Sequence, residues 1–169
     1  MLFSPETAAT LNAKLGLTAS LALKANLTAL NGTGRVIQVV SATCNTITHS
    51  SSATYADTGL TATITPTAST SKVLVMIKQN GCSKDTSNTT LGLKILRGAT
   101  SLGIWELDGA YTGNTSTNYI GTCGVDILDT PATTSATTYK TQFNSSANAT
   151  ETGVQTSSAI SSITLIEVG

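Results

Sequence analysis

Charged and aromatic side chains are scarce in this chain of 169 residues. Charged residues make up 11% of the sequence and aromatic residues 4%, and the nine basic side chains balance the nine acidic ones. A neutral chain has no electrostatic reason to bind nucleic acid or an anionic membrane surface, so the sequence predicts neither partner. Because surface charge normally keeps protein molecules apart, its scarcity favours self-association, and we expect a homo-oligomer.

Residues suited to metal binding or nucleophilic catalysis are also few. His49 is the single histidine and lies among small polar residues, which indicates a solvated loop histidine rather than a member of a catalytic triad. Cys44, Cys82 and Cys123 have no Cys-x-x-Cys spacing, and their odd count fits neither a disulfide framework nor a zinc site. We interpret them as small, semi-buried hydrophobic residues. The sequence therefore predicts no metal site and no cofactor.

Two acidic pairs remain as candidates for acid–base catalysis. Glu106 with Asp108, and Asp126 with Asp129, lie close enough in sequence to suggest the paired carboxylates of a glycosidase. Solvated acids on a hairpin edge explain both pairs more simply. No further constellation supports them, so the sequence predicts no catalytic residues and no enzymatic activity.

Long apolar segments are absent as well. The start Met1-Leu2-Phe3-Ser4 has no basic residue and no apolar core after it, so we expect no secretory signal. No run of about 18 apolar residues occurs that would predict a membrane-spanning helix.

From residue 34 onward the chain is rich in threonine and serine and is cut by Gly, Asn and Pro. β-Branched threonine suits a pleated, half-exposed surface, and the apolar content of 40% indicates a folded module. The pattern predicts about eight to ten short strands, the number and spacing of a sandwich or jelly roll. The expected fold class is an all-β, jelly-roll-like antiparallel β-sandwich. The predicted strands are 35–40, 55–64, 72–77, 91–96, 102–107, 119–128, 137–143, 153–158 and 162–168.

Residues 1–33 form a separate leader in this interpretation. Ser4, Pro5 and Glu6 make a helix start, and Gly16 is a natural stop. Residues 17–29 then alternate apolar and polar, which predicts an extended arm with one buried face. An edge strand of the main domain is the alternative. We prefer an arm that lies on a partner, since residues 31–34 separate it from the module.

Several strings in the module resemble a domain common in the virion proteins of tailed bacteriophages. The resemblance covers residues 34–169 and implies a trimeric β-sandwich carried on tail fibres, head fibres or capsid decorations. It brings no catalytic motif with it. The strings that carry it are Gly34–Ala42, Tyr55–Pro66, Ser71–Val75, Tyr139–Asn144 and Ile163–Val168.

The resemblance and the leader together predict a structural protein on the virion surface. We expect a homotrimeric capsid decoration, of the cement or head-fibre type, bound to the major capsid protein or another virion protein. A receptor-binding tail-fibre domain that contacts host surface glycans is the alternative, and a polysaccharide depolymerase is the least supported reading. The residues expected to anchor the leader are Leu2, Phe3, Leu11, Leu15, Leu17, Leu21, Leu23 and Leu27.

Three aromatic residues are candidates for contacts within the module. If Ile104 faces the core, alternation places Trp105 outside, where it could anchor a trimer interface; Trp105 as a core residue is the other possibility. Tyr111 and Tyr119 flank a loop of Gly, Asn, Ser and Thr, which could form a sugar-contacting rim or an ordinary loop.

Overall fold

The computed structural model describes residues 34–85, 88–113, 116–147 and 151–169, together with Ala13. The predicted leader helix, the extended arm and all eight anchoring residues lie outside this part of the chain. The chain divides into two compact units, of which Val36–Val168 is the β domain described below.

Antiparallel strands make up this domain, as expected for an all-β fold. Their order follows the predicted series closely, with the short strand β2 added and with the predicted strand 153–158 divided into β9 and a 3-10 turn. The described residues hold β1 (Val36–Cys44), β2 (Thr48–Ser50), β3 (Ala56–Ile64), β4 (Lys72–Lys84), β5 (Leu91–Arg97), β6 (Thr100–Gly109), β7 (Asn118–Asp129), β8 (Thr137–Ser145), β9 (Thr152–Val154) and β10 (Ser161–Val168), with one 3-10 turn at Thr156–Ser158.

Two antiparallel sheets face each other across the core. In sheet A the order is β1-β10-β4-β7, and the short pair β9-β2 extends it beside the second half of β4. In sheet B the order is β3-β8-β5-β6. The predicted central strand at 72–77 is confirmed, because β4 pairs with both β10 and β7.

Glycines in two segments predict interruptions of the strands, with different outcomes. Asp57-Thr58-Gly59 predicts a bulge or turn, which is confirmed, since the β3–β8 register shifts between Asp57 and Thr61 and Gly59 has a φ of 85°. Asn80-Gly81 predicts part of a loop, and this prediction is wrong. Gly81, with a φ of 62°, forms a bulge that lets β4 continue to Lys84, and an added Cβ there would collide with the backbone of Thr156.

Strict alternation builds the core. In β8 the side chains of Tyr139, Thr141 and Phe143 all point inward and are fully buried, as the pattern predicts. Two apolar clusters result. The larger joins both sheets and consists of Leu60, Ala62, Ile64, Val73, Val75, Ile77, Ile95, Tyr139, Ile163 and Leu165; the smaller consists of Cys82, Leu91, Leu93, Cys123, Phe143 and Val154.

A chain of buried polar side chains crosses between the two sheets. Thr58 and Thr141 of sheet B share a hydrogen bond of 2.5 Å, and the Thr141 hydroxyl donates to Gln79 Oε1 of sheet A at 3.0 Å. Gln79 Nε2 in turn donates to Ser161 Oγ at 3.0 Å. Because Thr141 uses its one proton on Gln79, the Thr58 hydroxyl must be the donor to Thr141. Every member is fully buried, so each hydrogen bond replaces one to water.

A buried carboxylate ties β10 to the turn that precedes β4. Glu167 accepts hydrogen bonds from Gln38 Nε2 at 2.5 Å and from both the backbone N–H and the hydroxyl of Thr67 at 2.7 Å. Burial alone raises the pKa of this carboxyl, but the hydrogen bonds stabilise its charged form more strongly and lower the pKa to about 2. Glu167 is therefore a permanently charged structural residue at neutral pH.

Candidate functional site

Trp105 faces the opposite way from the sequence prediction. It packs against both core clusters, whereas Ile104 is 48% exposed. Bulges explain the reversal, because the β5–β6 register shifts between Leu93 and Lys94 and again between Ile95 and Leu96. The extra residues at these two shifts, Trp105 and Leu102, both pack inward. Trp105 was predicted to anchor a trimer because it was expected to point outward. Since it packs inward, the structure gives no reason to assign it to a trimer interface.

The two predicted rim tyrosines are both exposed, and one of them borders two clefts. Tyr119, at the start of β7, is 69% exposed and lines both. Tyr111 lies in the β6–β7 loop and lines neither of these two clefts.

The two clefts share Tyr119 and Thr156 as lining residues. The first has a volume of about 220 Å³ and the second about 400 Å³. Elements that are distant in sequence supply the other walls. The first cleft is lined by His49, Ser83, Lys84, Asp85, Thr117, Glu151 and Gly153; the second is lined by Asn80, Gly81, Cys82, Gly121, Thr122, Ser157 and Ala159.

Charged groups of both signs face the first cleft. His49 Nδ1 lies 3.2 Å from Glu151 Oε1, and Thr117 donates a hydrogen bond of 3.0 Å to Asp85 Oδ1. Lys84 is buried and lines the same cleft. The loop position predicted for His49 is wrong, because the residue lies in β2 and pairs with β9. Its imidazole nevertheless remains partly exposed, beside a partly exposed carboxylate.

One member of each acidic pair considered for catalysis is held in structural hydrogen bonds. Glu106 Oε1 accepts hydrogen bonds from the backbone N–H groups of Leu107 and Asp108, both at 3.1 Å. Asp129 accepts from Arg97 Nη1 at 2.8 Å and from the Tyr139 hydroxyl at 2.6 Å. Burial, followed by the neighbouring Asp129, raises the pKa of Tyr139. Asp129 therefore links sheet A to sheet B, whereas the hydrogen bonds of Glu106 are local.

The cysteines are free thiols, and the described residues form no cluster of metal ligands. The three thiols are free. Cys82 and Cys123 lie on neighbouring strands in the smaller core cluster, where the hydrogen bond to Cys123 and burial raise the pKa of Cys82. Within the described ranges, no group of three or more His, Cys, Asp and Glu side chains is placed to hold a metal ion. No helix in the same part of the chain is long and apolar enough to cross a bilayer.

An apolar row crosses the outer face of sheet A, which no sequence motif marked. Val39 of β1 pairs with Ile166 of β10, Ile166 pairs with Leu74 of β4, and Leu74 pairs with Leu128 of β7. We call these four residues the outer-face row. Their chain neighbours, such as Val40, Val75, Ile127 and Leu165, pack in the core, so alternation directs the row away from it.

The outer-face row is exposed at both ends and continues into further apolar positions. Val39 is 58% exposed and Leu128 is 56% exposed. The pair Val36 and Val168 lies on one side of the row, and Met76 lies on the other. A sequence signal for this surface existed in β4, where Val73-Leu74-Val75-Met76-Ile77 is a continuous apolar run rather than an alternating one. Such a run is typical of a strand that is covered on both faces.

Comparison with known proteins identifies no relative. No family model matches the chain, and no curated protein matches its sequence. The resemblance to a phage virion domain therefore stays a prediction, while the antiparallel β-sandwich is established by the structure itself.

Proposed function

We propose that this protein is a non-enzymatic structural component of a tailed-phage virion, a homotrimeric capsid decoration of the cement or head-fibre type. The observation that carries the proposal is the outer-face row, an apolar strip across four strands that is exposed at both ends, in a chain with few charged residues. Large exposed apolar patches on soluble domains usually mark surfaces that bind another protein.

The strand order supports a jelly-roll interpretation of the sandwich. Without the short strands β2 and β9, eight strands remain, and the orders β1-β10-β4-β7 and β3-β8-β5-β6 are those of a double-sheet jelly roll. That architecture is common among viral capsid and lectin domains. The fold alone does not assign a function, so it adds to the argument from the surface without replacing it.

A second copy of the chain is the partner that best fits the outer-face row. Burying one Leu, Ile or Val side chain is worth about 1.5–3 kcal/mol, so a row of four on each copy supplies several kcal/mol. The charges directly beside the row are of both signs, Lys72 next to Val168 and Asp126 next to Met76, so they need not keep like copies apart. Most soluble oligomers are symmetric assemblies of identical chains. The resemblance to phage virion domains favours an assembly of three copies. The leader residues would then anchor the trimer to the particle.

Replacing Leu128 with aspartate should convert the trimer into monomers. The substitution places a charge in the apolar interface, where burial without a partner is costly, yet it is tolerated in a monomer because Leu128 is already exposed. Light scattering on the whole chain should give three times 17.2 kDa for the wild type and 17.2 kDa for Leu128→Asp.

The matched control is Ile104→Asp, which adds the same charge at an exposed apolar position on sheet B. This variant should remain a trimer. A monomeric wild type would overturn the association, and a Leu128→Asp variant of unchanged mass would show that the outer-face row is not the interface.

A further inference from the structure

The charges in the first cleft select against anionic ligands. Two carboxylates, Asp85 and Glu151, and one ammonium group, Lys84, line the cleft, so carboxylates outnumber ammonium groups. Asp85 and Glu151 repel an anion such as a uronic or sialic acid. A neutral ligand with many polar groups avoids this repulsion.

The same side chains offer both hydrogen-bond donors and acceptors. When His49 Nδ1–H donates to Glu151, Nε2 of the neutral ring is left as an acceptor. Thr117 donates to Oδ1 of Asp85, and among the described residues no hydrogen bond reaches the second oxygen, which can accept one from a ligand. Ser83 adds a hydroxyl that can donate or accept. A ligand rich in hydroxyl groups can satisfy such a lining, whereas an apolar ligand would leave it desolvated and unpaired.

An exposed aromatic ring completes the arrangement. Tyr119 lines both clefts and is 69% exposed, so its ring can stack on the C–H face of a sugar ring. The first cleft is smaller than the usual site for a drug-sized ligand, and the second is at the low end of that range. Each cleft therefore suits one or two sugar rings. We propose that Tyr119 and the two clefts beside it bind a neutral oligosaccharide. One sugar ring stacks on the Tyr119 side chain, and the hydroxyl groups of that sugar enter the first cleft.

This site goes beyond the decoration role and is independent of the interface. Tyr119 and Leu128 are nine residues apart on β7, which corresponds to roughly 30 Å along the strand. Assembly through the outer-face row would therefore leave the clefts open. Failure of the trimer test and failure of the saccharide test would be separate results.

Titration calorimetry on the whole chain tests the proposal with lactose, maltotriose, triacetylchitotriose and sialyllactose. We expect millimolar binding of at least one neutral sugar, and weaker binding of sialyllactose than of lactose because of the added carboxylate. Tyr119→Ala should weaken the neutral sugar about tenfold, equivalent to about 1.4 kcal/mol of stacking. Tyr119→Phe keeps the ring and should bind within about threefold of the wild type, since only the hydroxyl is lost.

Tyr111→Ala is the control variant, because Tyr111 is also exposed but lines neither cleft. It should bind as the wild type does. The proposal is overturned if no neutral sugar binds, if sialyllactose binds more tightly than lactose, or if Tyr119→Ala and Tyr111→Ala bind equally well.

Discussion

The variant Thr141→Val is expected to lower the free energy of unfolding by about 2–4 kcal/mol, because two buried hydrogen bonds are lost together. Valine has nearly the shape of threonine, so packing changes little. The substitution leaves Gln79 Oε1 without a donor and the Thr58 hydroxyl without an acceptor. Both groups are fully buried and would have no water to replace Thr141. The variant should therefore lose far more free energy of unfolding than a variant that removes an exposed surface hydroxyl.

The same strand provides a matched control. Thr138 also lies in β8 and pairs its hydroxyl with a threonine of β3, Thr63, at 2.7 Å, but this pair is exposed. Thr138→Val should change the free energy of unfolding by less than about 0.5 kcal/mol, because water replaces the lost partner. Urea unfolding at one fixed protein concentration compares the two variants. Equal losses would show that the buried chain does not link the two sheets energetically.

Glu167→Gln should cost about 3 kcal/mol at pH 7, the equivalent of lowering the carboxyl pKa from 4.5 to about 2. The charged form is the one that the hydrogen bonds from Gln38 and Thr67 stabilise. A neutral amide in place of the carboxylate weakens these hydrogen bonds, and its NH₂ group faces one of the donors, Gln38 or Thr67. Since the pKa is lowered on folding, this stabilisation is present above pH 4.5 and is lost as the pH falls from 4.5 toward 2.

Unfolding measured across this pH range distinguishes charge from packing. The difference in unfolding free energy between wild type and Glu167→Gln should shrink steadily below pH 4.5 and be small near pH 2, where the pKa of Glu167 in the folded protein lies. Asp108→Asn is the control, because Asp108 is an exposed carboxylate. Asp108→Asn should change the free energy of unfolding little at neutral pH and near pH 2. A Glu167→Gln difference that is independent of pH would mean that shape rather than charge holds β10 in place.

Periodicity predicted the strands of this domain well, because short antiparallel strands carry their burial pattern in neighbouring residues. β8 and β10 alternate without interruption, and their buried faces could be counted directly. The method fails at bulges, since one extra residue exchanges the two faces of a strand. This happened in β6, where the bulges at Leu102 and Trp105 turned the tryptophan inward.

The candidate sites were harder to predict because they depend on contacts between distant strands. The outer-face row exists only once β1, β10, β4 and β7 lie side by side. The first cleft brings His49 beside Glu151, about a hundred positions later in the chain. Tyr119 could be named as a rim residue from its loop context, but its polar neighbours could not be found without the register of the sheets.

Electron microscopy of gold-labelled protein added to virions stripped of it tests the proposed function most directly. The decoration proposal predicts that the wild-type trimer labels the heads in a repeating pattern. The double variant Leu21→Asp with Leu23→Asp should remain a trimer and leave the heads bare, because a buried apolar arm does not tolerate two charges. Equal labelling by the double variant would show that the leader is not the anchor. Wild-type label confined to tail tips, or absent from every particle, would contradict the decoration function.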